Sequence, residues 1–333
     1  MNSLLKVSHL QTAFDTDQGK VVSVDDVSFE LKAGETLAIV GESGSGKSVT
    51  ALSIMRLLGK SSRIDHGTVV LDGTNLLALD ESRMRDVRGN QISMIFQEPM
   101  TSLNPVFTIG YQLMEAIRLH VKLGKKEARE AAIEMLRKVG LPRPEQIMKS
   151  YPFALSGGMR QRVMIAMALA CKPKVLIADE PTTALDVTVQ AQIMRLMKEL
   201  CEEAGTAIIL ITHDLGVVAE MADRVLVMYA GQVVEEADVY TLFEKPMHPY
   251  TRGLLQSVPS LDPDDDAKLA SIPGSVPARY QFMNGCRFHN RCPLATEHCR
   301  EVTPVLEPKV EGHLARCWEV GPENMREGEV VYE

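Results

Sequence analysis

Eight consecutive residues, Gly41-Glu42-Ser43-Gly44-Ser45-Gly46-Lys47-Ser48, have the composition of a loop that holds phosphate. Its three glycines let the backbone curl until N–H groups point at phosphate oxygens. A helix starting at the end of the loop adds a favourable dipole. Lys47 puts a positive charge on the β and γ phosphates, and the Ser48 hydroxyl is a ligand for Mg²⁺. A second constellation is Val175-Leu176-Ile177-Ala178-Asp179-Glu180. The four apolar residues predict a buried strand with Asp179 at its carboxyl end, where it can hold Mg²⁺ through water. Glu180 follows directly, and its expected role is to polarise a water that attacks the γ-phosphate. Gln97 ends a further apolar run, Ile92–Phe96, and an amide there suits a sensor that touches the metal or the water and releases it. His213 follows the run Ile208–Ile211 and Thr212. Between loop and acidic strand lies Leu155-Ser156-Gly157-Gly158-Met159-Arg160-Gln161, a Ser-Gly-Gly turn opening a helix.

These residues need a scaffold that alternates strands with helices. Residues 4–31 alternate as strands do. Leu37–Val40 is a short apolar run feeding the glycine-rich turn, and Ser48–Leu58 reads as a helix, the strand–loop–helix context that a phosphate loop requires. Gly67–Gly73 predicts a strand and its turn. Ile109–Leu123 and Lys125–Val139 read as helices. The second carries an apolar stripe at Ala128, Ala131, Ala132, Met135, Leu136 and Val139 until Pro142 and Pro144 break it. Strands return at Val175–Ala178 and Ala207–Ile211, separated by a helix over Val187–Ala204. The fold class is therefore α/β with a parallel sheet.

Composition narrows the function. The chain has 333 residues, 45% of them hydrophobic and 24% charged, enough for one large core and a smaller appendix. A net charge of −8 argues against nucleic acid as a partner. The first residues lack the charged start and apolar run of a signal peptide, and no stretch approaches the roughly 20 apolar residues of a membrane span. The expectation is a cytosolic chain that meets a membrane through partners. Thiols stay reduced there, so the six cysteines are not a disulfide framework. Beyond residue 239 prolines punctuate the chain (Pro246, Pro249, Pro259, Pro263, Pro273, Pro277), an acidic run covers Asp262–Asp266, and four cysteines fall after residue 285. The expected division is a nucleotide-binding domain over 1–238, with a helical insert at about 106–160, and an appended region over 239–333.

With these motifs in this order, residues 5–238 resemble an ATP-binding cassette (ABC) ATPase: a phosphate-loop core with an antiparallel β subdomain and a helical subdomain. The resemblance implies ATP and Mg²⁺ as ligands. It implies that Ser156, Gly157 and Gly158 bind the γ-phosphate held by a second ATPase subunit, that Asp186 in Ala184-Leu185-Asp186 couples the two sites, and that His213 reaches the γ-phosphate. Phe14 is the match for the aromatic that stacks on adenine, where Tyr is usual. The loop Gln97–Pro105 then borders the surface that receives a helix from a membrane subunit.

The tail carries the resemblance further. Lys245-Pro246-Met247-His248-Pro249-Tyr250-Thr251 with Leu254-Leu255 resembles the C-terminal extension of the ATP-binding subunits of bacterial dipeptide and oligopeptide importers, a group that includes nickel importers; the likeness is strongest to the dipeptide branch. His248-Pro249-Tyr250 reads physically as a turn before a helix. The implied partners are a second, related ATPase subunit, two transmembrane permease subunits and an extracytoplasmic peptide-binding protein, with the chain peripheral on the cytoplasmic face of the inner membrane. Cys286, Cys292, Cys299 and Cys317 are spaced C-x5-C-x6-C-x17-C, unlike zinc ribbons or simple ferredoxins. Four thiolates complete a zinc or an iron–sulfur site, and unligated thiols are the remaining alternative. The resemblance, with Arg291-Cys292-Pro293 and Arg316-Cys317-Trp318, implies a [4Fe–4S] cluster. His289, His298 and His313 lie near enough in sequence to substitute as ligands, and Cys171 and Cys201 read as small core residues.

Overall fold

The structure is a computed structural model that describes residues 3–17, 19–97, 102–183, 185–257, 271–277 and 280–321. The Glu98–Thr101 part of the expected membrane-subunit loop, Ala184 and the acidic run Asp262–Asp266 lie outside the described residues. The chain folds as two compact units.

The first unit comprises residues 71–211 with the segments 1–5 and 31–36. Three parallel strands run through it: Ile92–Ile95, Val175–Asp179 and Ala207–Ile211, with the acidic strand in the middle. Ile92 stands opposite Val175, and Asp179 opposite Ile211. Every residue of Val175–Asp179 and of Ala207–Ile211 is buried, as a continuous apolar run in a parallel sheet requires. The helix Val187–Ala204 buries Ile193, Met194, Met197 and Cys201, a stripe at helical spacing. It ends where Gly205 turns left-handed and returns its N–H to Cys201 and Glu202. Ile109–Val121, Lys125–Lys138 and Pro144–Ile147 are the helices of the insert. The second buries Ala128, Ala132, Ile133 and Leu136, so Ile133 joins the expected stripe while Ala131 and Met135 are only half-buried.

The second unit comprises residues 6–30, 37–70 and 212–333. Strands Gly19–Leu31, Leu5–Thr16 and Ser62–Leu71 lie side by side in that order. A second set runs Thr36–Val40, Arg224–Tyr229, Gln232–Asp238, His313–Ala315, Glu307–Val310. Its first pair is parallel, the rest antiparallel. Ala230 and Gly231, both at positive φ, turn the hairpin between Tyr229 and Gln232. Through Glu235 opposite Ala315, the strands of the expected ATPase continue into the tail. The core confirms that continuity: Val40, Val225, Val227 and Tyr229 pack with Tyr250, Tyr280 and Phe288, and Cys286 and Cys292 rest against the same cluster. The rings of Tyr229, Tyr250 and Phe288 lie 4.7–5.4 Å apart, each pair contributing ~0.5–1.5 kcal/mol beyond its buried area. Among the described residues no helix is long and apolar enough to cross a membrane.

Candidate functional site

The phosphate loop is built on the end of Thr36–Val40 and leads into the helix Lys47–Met55. Gly41, Gly44 and Gly46 have φ of 148°, 80° and 100°, all in the region that glycine enters without strain. At Gly46 a side chain is excluded twice over, because a Cβ would meet the Ser23 carbonyl oxygen at 2.6 Å. Lys47 is buried, and its ammonium donates to the carbonyls of Gly41 (2.6 Å) and Glu42 (3.0 Å). The charge therefore lies against the backbone of the loop itself. Thr50 secures the first helical turn through Gly46 O at 2.9 Å.

In the first unit, Asp179 is buried at the end of its strand, 4% exposed, and Glu180 follows at φ 45°. A non-glycine residue there carries ~1–3 kcal/mol of strain, tolerated where surrounding bonds dictate the conformation. Here the Glu180 N–H donates to Ile211 O at 2.8 Å. The carboxylate accepts from Gln97 Nε2 at 3.0 Å and from Thr183 Oγ1 at 3.1 Å, both on the same oxygen. Gln97 is exposed just after the strand Ile92–Ile95.

Ser156 caps the helix Gly157–Leu169, its hydroxyl accepting from Met159 N at 3.4 Å. Gly157 and Gly158 pass close to the start of the helix Val187–Ala204: a Cβ on Gly157 would meet Leu185, just before it, at 3.5 Å, and one on Gly158 would meet Val189 at 3.1 Å. Asp186 caps that helix through Val189 N. Ser156 and Asp186 are both exposed. His213 is exposed just before Asp214, which caps Leu215–Met221. Phe14 is half-buried on Leu5–Thr16.

The tail reaches the phosphate loop. Tyr250, on the helix Pro249–Gln256, accepts the Glu42 N–H at 2.8 Å. Arg291 grips the Glu42 carboxylate with both terminal nitrogens, at 2.6 and 3.0 Å. His248 caps the Tyr250 helix, with Nδ1 accepting from Tyr250 N at 3.1 Å, so its turn-before-helix reading holds. Its backbone N–H and that of Met247 donate to the buried Glu235 carboxylate. Neither Tyr250 nor Arg291 was marked by the sequence as part of the nucleotide site.

The four tail cysteines are free thiols. Burial pushes Cys292 and Cys317 up to about 12, and the neighbouring cysteines add to it; Cys286 moves the same way for the same cause. They are thus mutual neighbours. Yet no group of three or more His, Cys, Asp or Glu side chains among the described residues is arranged to hold a metal ion. The expected four-cysteine centre is therefore not preformed here. The histidines weighed as substitutes have other partners: His313 Nε2 meets Glu235 at 2.7 Å, His289 Nδ1 meets the Cys286 carbonyl at 2.6 Å, and His298 packs on Trp318. Cys201 is a core residue, as expected, while Cys171 is half-buried.

A family model described as "ABC transporter" matches residues 24–183, and one described as "Oligopeptide/dipeptide transporter, C-terminal region" matches 234–299. The chain is 55% identical to the oligopeptide transport ATP-binding protein AppD of Bacillus subtilis, covering 96% of this chain and 97% of AppD. It is 53% identical to OppD of Salmonella typhimurium (95% and 94%) and 48% identical to the dipeptide transport ATP-binding protein DppD of Escherichia coli (95% and 96%). Among solved structures, the dimeric cassette MJ0796 bound to ADP and Pi matches with a TM-score of 0.64 at 30% identity, over 71% of this chain and 98% of that one. CbiO1 of Clostridium perfringens matches with a TM-score of 0.62 at 28% identity, over 74% and 92%. The strand–loop–helix with Lys47, the acidic strand ending in Asp179-Glu180, the capped Ser156 turn and the tail built onto the same strands thus have one explanation: the chain is an ATPase belonging to the ATP-binding subunits of the oligopeptide/dipeptide ABC transporter family.

Proposed function

We propose that this ATPase powers the import of peptides across the cytoplasmic membrane. The single observation that carries the reading is full-length similarity to AppD, OppD and DppD, tail included. Dipeptides are the substrates first expected from the tail motif; oligopeptides are the second reading, favoured by the higher identity to AppD and OppD. The chain works on the cytoplasmic face of the inner membrane beside a related ATPase subunit, two permease subunits and an extracytoplasmic peptide-binding protein. The domains divide the labour: 1–238 for ATP, 239–333 as the extension.

In the proposed cycle the phosphate loop from Gly41 through Ser48, with Glu42, Ser43 and Ser45 between its glycines, wraps the ATP phosphates. Phe14 stacks on adenine. Ser48 and Asp179 offer the hard oxygen donors that suit Mg²⁺, with Gln97 as a releasable neighbour; the bound ion would screen phosphate charge. Glu180 draws a proton from the attacking water, whose oxygen bonds to the γ-phosphorus as the bond from that phosphorus to the bridging oxygen breaks and ADP leaves. His213 senses the γ-phosphate. Ser156, Gly157 and Gly158 close on the partner subunit's ATP, and Asp186 links the two sites. The MJ0796 dimer supports a two-subunit arrangement. For the tail we propose a [4Fe–4S] cluster on Cys286, Cys292, Cys299 and Cys317, with zinc as the alternative; the centre is not preformed, and what supports the reading is that all four are free cysteines able to supply thiolates.

One preparation tests both parts. The chain is co-expressed with its transporter operon, purified without oxygen and reconstituted in liposomes. ATP-dependent uptake of labelled dipeptides or oligopeptides is expected, with about four iron atoms per chain and broad absorbance near 400 nm. Uptake of neither peptide class sinks the transport reading. Metal-free or zinc-only protein sinks the cluster.

A further inference from the structure

We propose that Arg291 and Tyr250 are positioning residues of the nucleotide site: by fixing Glu42 they set the shape of the phosphate loop, and so its affinity for ATP. The inference rests on the loop being the ATP site.

Glu42 follows Gly41, whose φ of 148° starts the curl. Its three polar parts are all engaged. The N–H donates to the Tyr250 hydroxyl oxygen at 2.8 Å. The carboxylate receives the paired Arg291 bonds at 2.6 and 3.0 Å. The carbonyl accepts from Lys47 at 3.0 Å, so the position of Glu42 helps decide where the ammonium sits. A shift of Glu42 therefore moves an acceptor of the side chain meant for the phosphates.

The grip is rigid. Arg291 has a side chain only 6% exposed, and backbone carbonyls fix its fork: Nε donates to Pro273 at 2.7 Å, and a terminal nitrogen donates to Ile272 at 3.2 Å. The Glu42 carboxylate in turn raises the guanidinium's pKa, so the pair stays charged. Tyr250 is fully buried in the ring cluster with Tyr229 and Phe288. A guanidinium fork in this geometry is not replaced by lysine, which lacks the planar pair of donors. Charge adds to shape. Released from Arg291, the carboxylate would stand as an uncompensated negative group in a loop that must receive a polyanion.

The position of Arg291 gives the arrangement a consequence. It is the residue before Cys292, and Cys292 packs in the same core cluster. A rearrangement at that thiol reaches Arg291 through one peptide bond, and Glu42 through the ion pair of Arg291.

The test uses the full chain with Glu42→Gln, Tyr250→Phe, Arg291→Lys and the double variant Glu42→Gln/Arg291→Lys. ATP binding is read by calorimetry, hydrolysis by steady-state kinetics, and folding by circular dichroism and thermal melting. Each single substitution is expected to raise the ATP Kd and KM about tenfold, as loss of a charge-assisted or buried bond implies, with kcat changed less than about twofold. The double variant is expected to be no worse than Glu42→Gln alone. Wild-type affinity in folded Glu42→Gln and Tyr250→Phe overturns the proposal, as does a double variant whose losses add in full. Glu42→Gln is isosteric on a half-buried side chain and keeps the test readable if Arg291→Lys does not fold. Lys47→Ala serves as the control: unchanged ATP binding there would fail the phosphate-loop reading itself rather than this inference.

Discussion

Two glutamates of this chain stand in sequence motifs of comparable strength, and the structure holds them differently. Glu42 meets a guanidinium through two short parallel bonds, with a buried tyrosine on its N–H. Glu180 accepts from an amide and a hydroxyl on one carboxylate oxygen, from a backbone held at positive φ. A bidentate ion pair ties charge and geometry together and resists change. Neutral donors orient a carboxylate while leaving lone pairs open to water. Glu42 is thus suited to hold a shape and Glu180 to handle a proton. The difference lies in the partners that the fold supplies, since the side chain is the same.

The strongest way to break the comparison is to neutralise the second acid. Glu180→Gln keeps size and hydrogen-bonding capacity and removes the charge on which the proposed general-base role depends. Hydrolysis should fall about 10²–10⁴-fold, the contribution of a positioned general base. ATP binding should persist, so nucleotide should be trapped in a closed dimer. The measurement needs a transporter whose other ATPase site is inactive, since an intact partner hides the loss. Near-normal turnover in that background would show that Glu180 is as structural as Glu42.

The next effect separates the two acids by pH. His248 caps the helix that carries Tyr250, and its Nδ1 must be unprotonated to accept from Tyr250 N. Burial pulls its pKa down to about 4, against about 6.5 in the unfolded chain. The folded pKa is the lower one, so the stabilisation is present above pH 6.5 and is lost as pH falls, because the unfolded chain takes up the proton first. Between pH 6.5 and 5 the loss is about 2 kcal/mol on the linkage of ~1.4 kcal/mol per unit. Urea unfolding of wild type and of His248→Asn, which retains a capping side chain but does not titrate, should diverge in that window. Equal pH slopes for the two proteins would remove His248 as the acid-sensitive support of the Glu42 side.

What was legible in the sequence follows from the range of each interaction. The phosphate loop, the acidic strand and the Ser156 turn act through consecutive residues, so their types and order suffice. The helix Val187–Ala204 and the strand Ala207–Ile211 have the bounds their apolar periods predict. Tyr250 and Arg291 reach Glu42 across 208 and 249 residues, and no local pattern reports such a pairing. Arg291 was visible only as a neighbour of Cys292. His313 looked like a spare metal ligand until its partner Glu235, 78 residues away, was in place. Ile133 fell outside the expected stripe, yet its burial shows that the helix presents a wider face than the alanines alone mark.

The smallest effect sharpens the comparison most. Thr183 Oγ1 lies 3.1 Å from both the backbone oxygen and Oε2 of Glu180. One hydroxyl proton serves two acceptors, so its hold on the carboxylate is partial. Thr183 is exposed, and valine there keeps the branched shape without leaving a buried polar atom unpaired. Thr183→Val should therefore cost little stability. Its effect should fall on the orientation of Glu180, where a hydroxyl proton shared between two acceptors contributes less than a full charge-assisted bond, ~0.5–1.5 kcal/mol. That corresponds to a drop in kcat of roughly two- to tenfold, with the KM for ATP unchanged, since binding rests on the phosphate loop. Gln97 still donates to the same oxygen, which is why the loss should stop well short of that in Glu180→Gln. The opposite split, a raised KM with kcat intact, would mean that Thr183 supports nucleotide binding. Glu180 would then resemble Glu42 in setting the shape of its site.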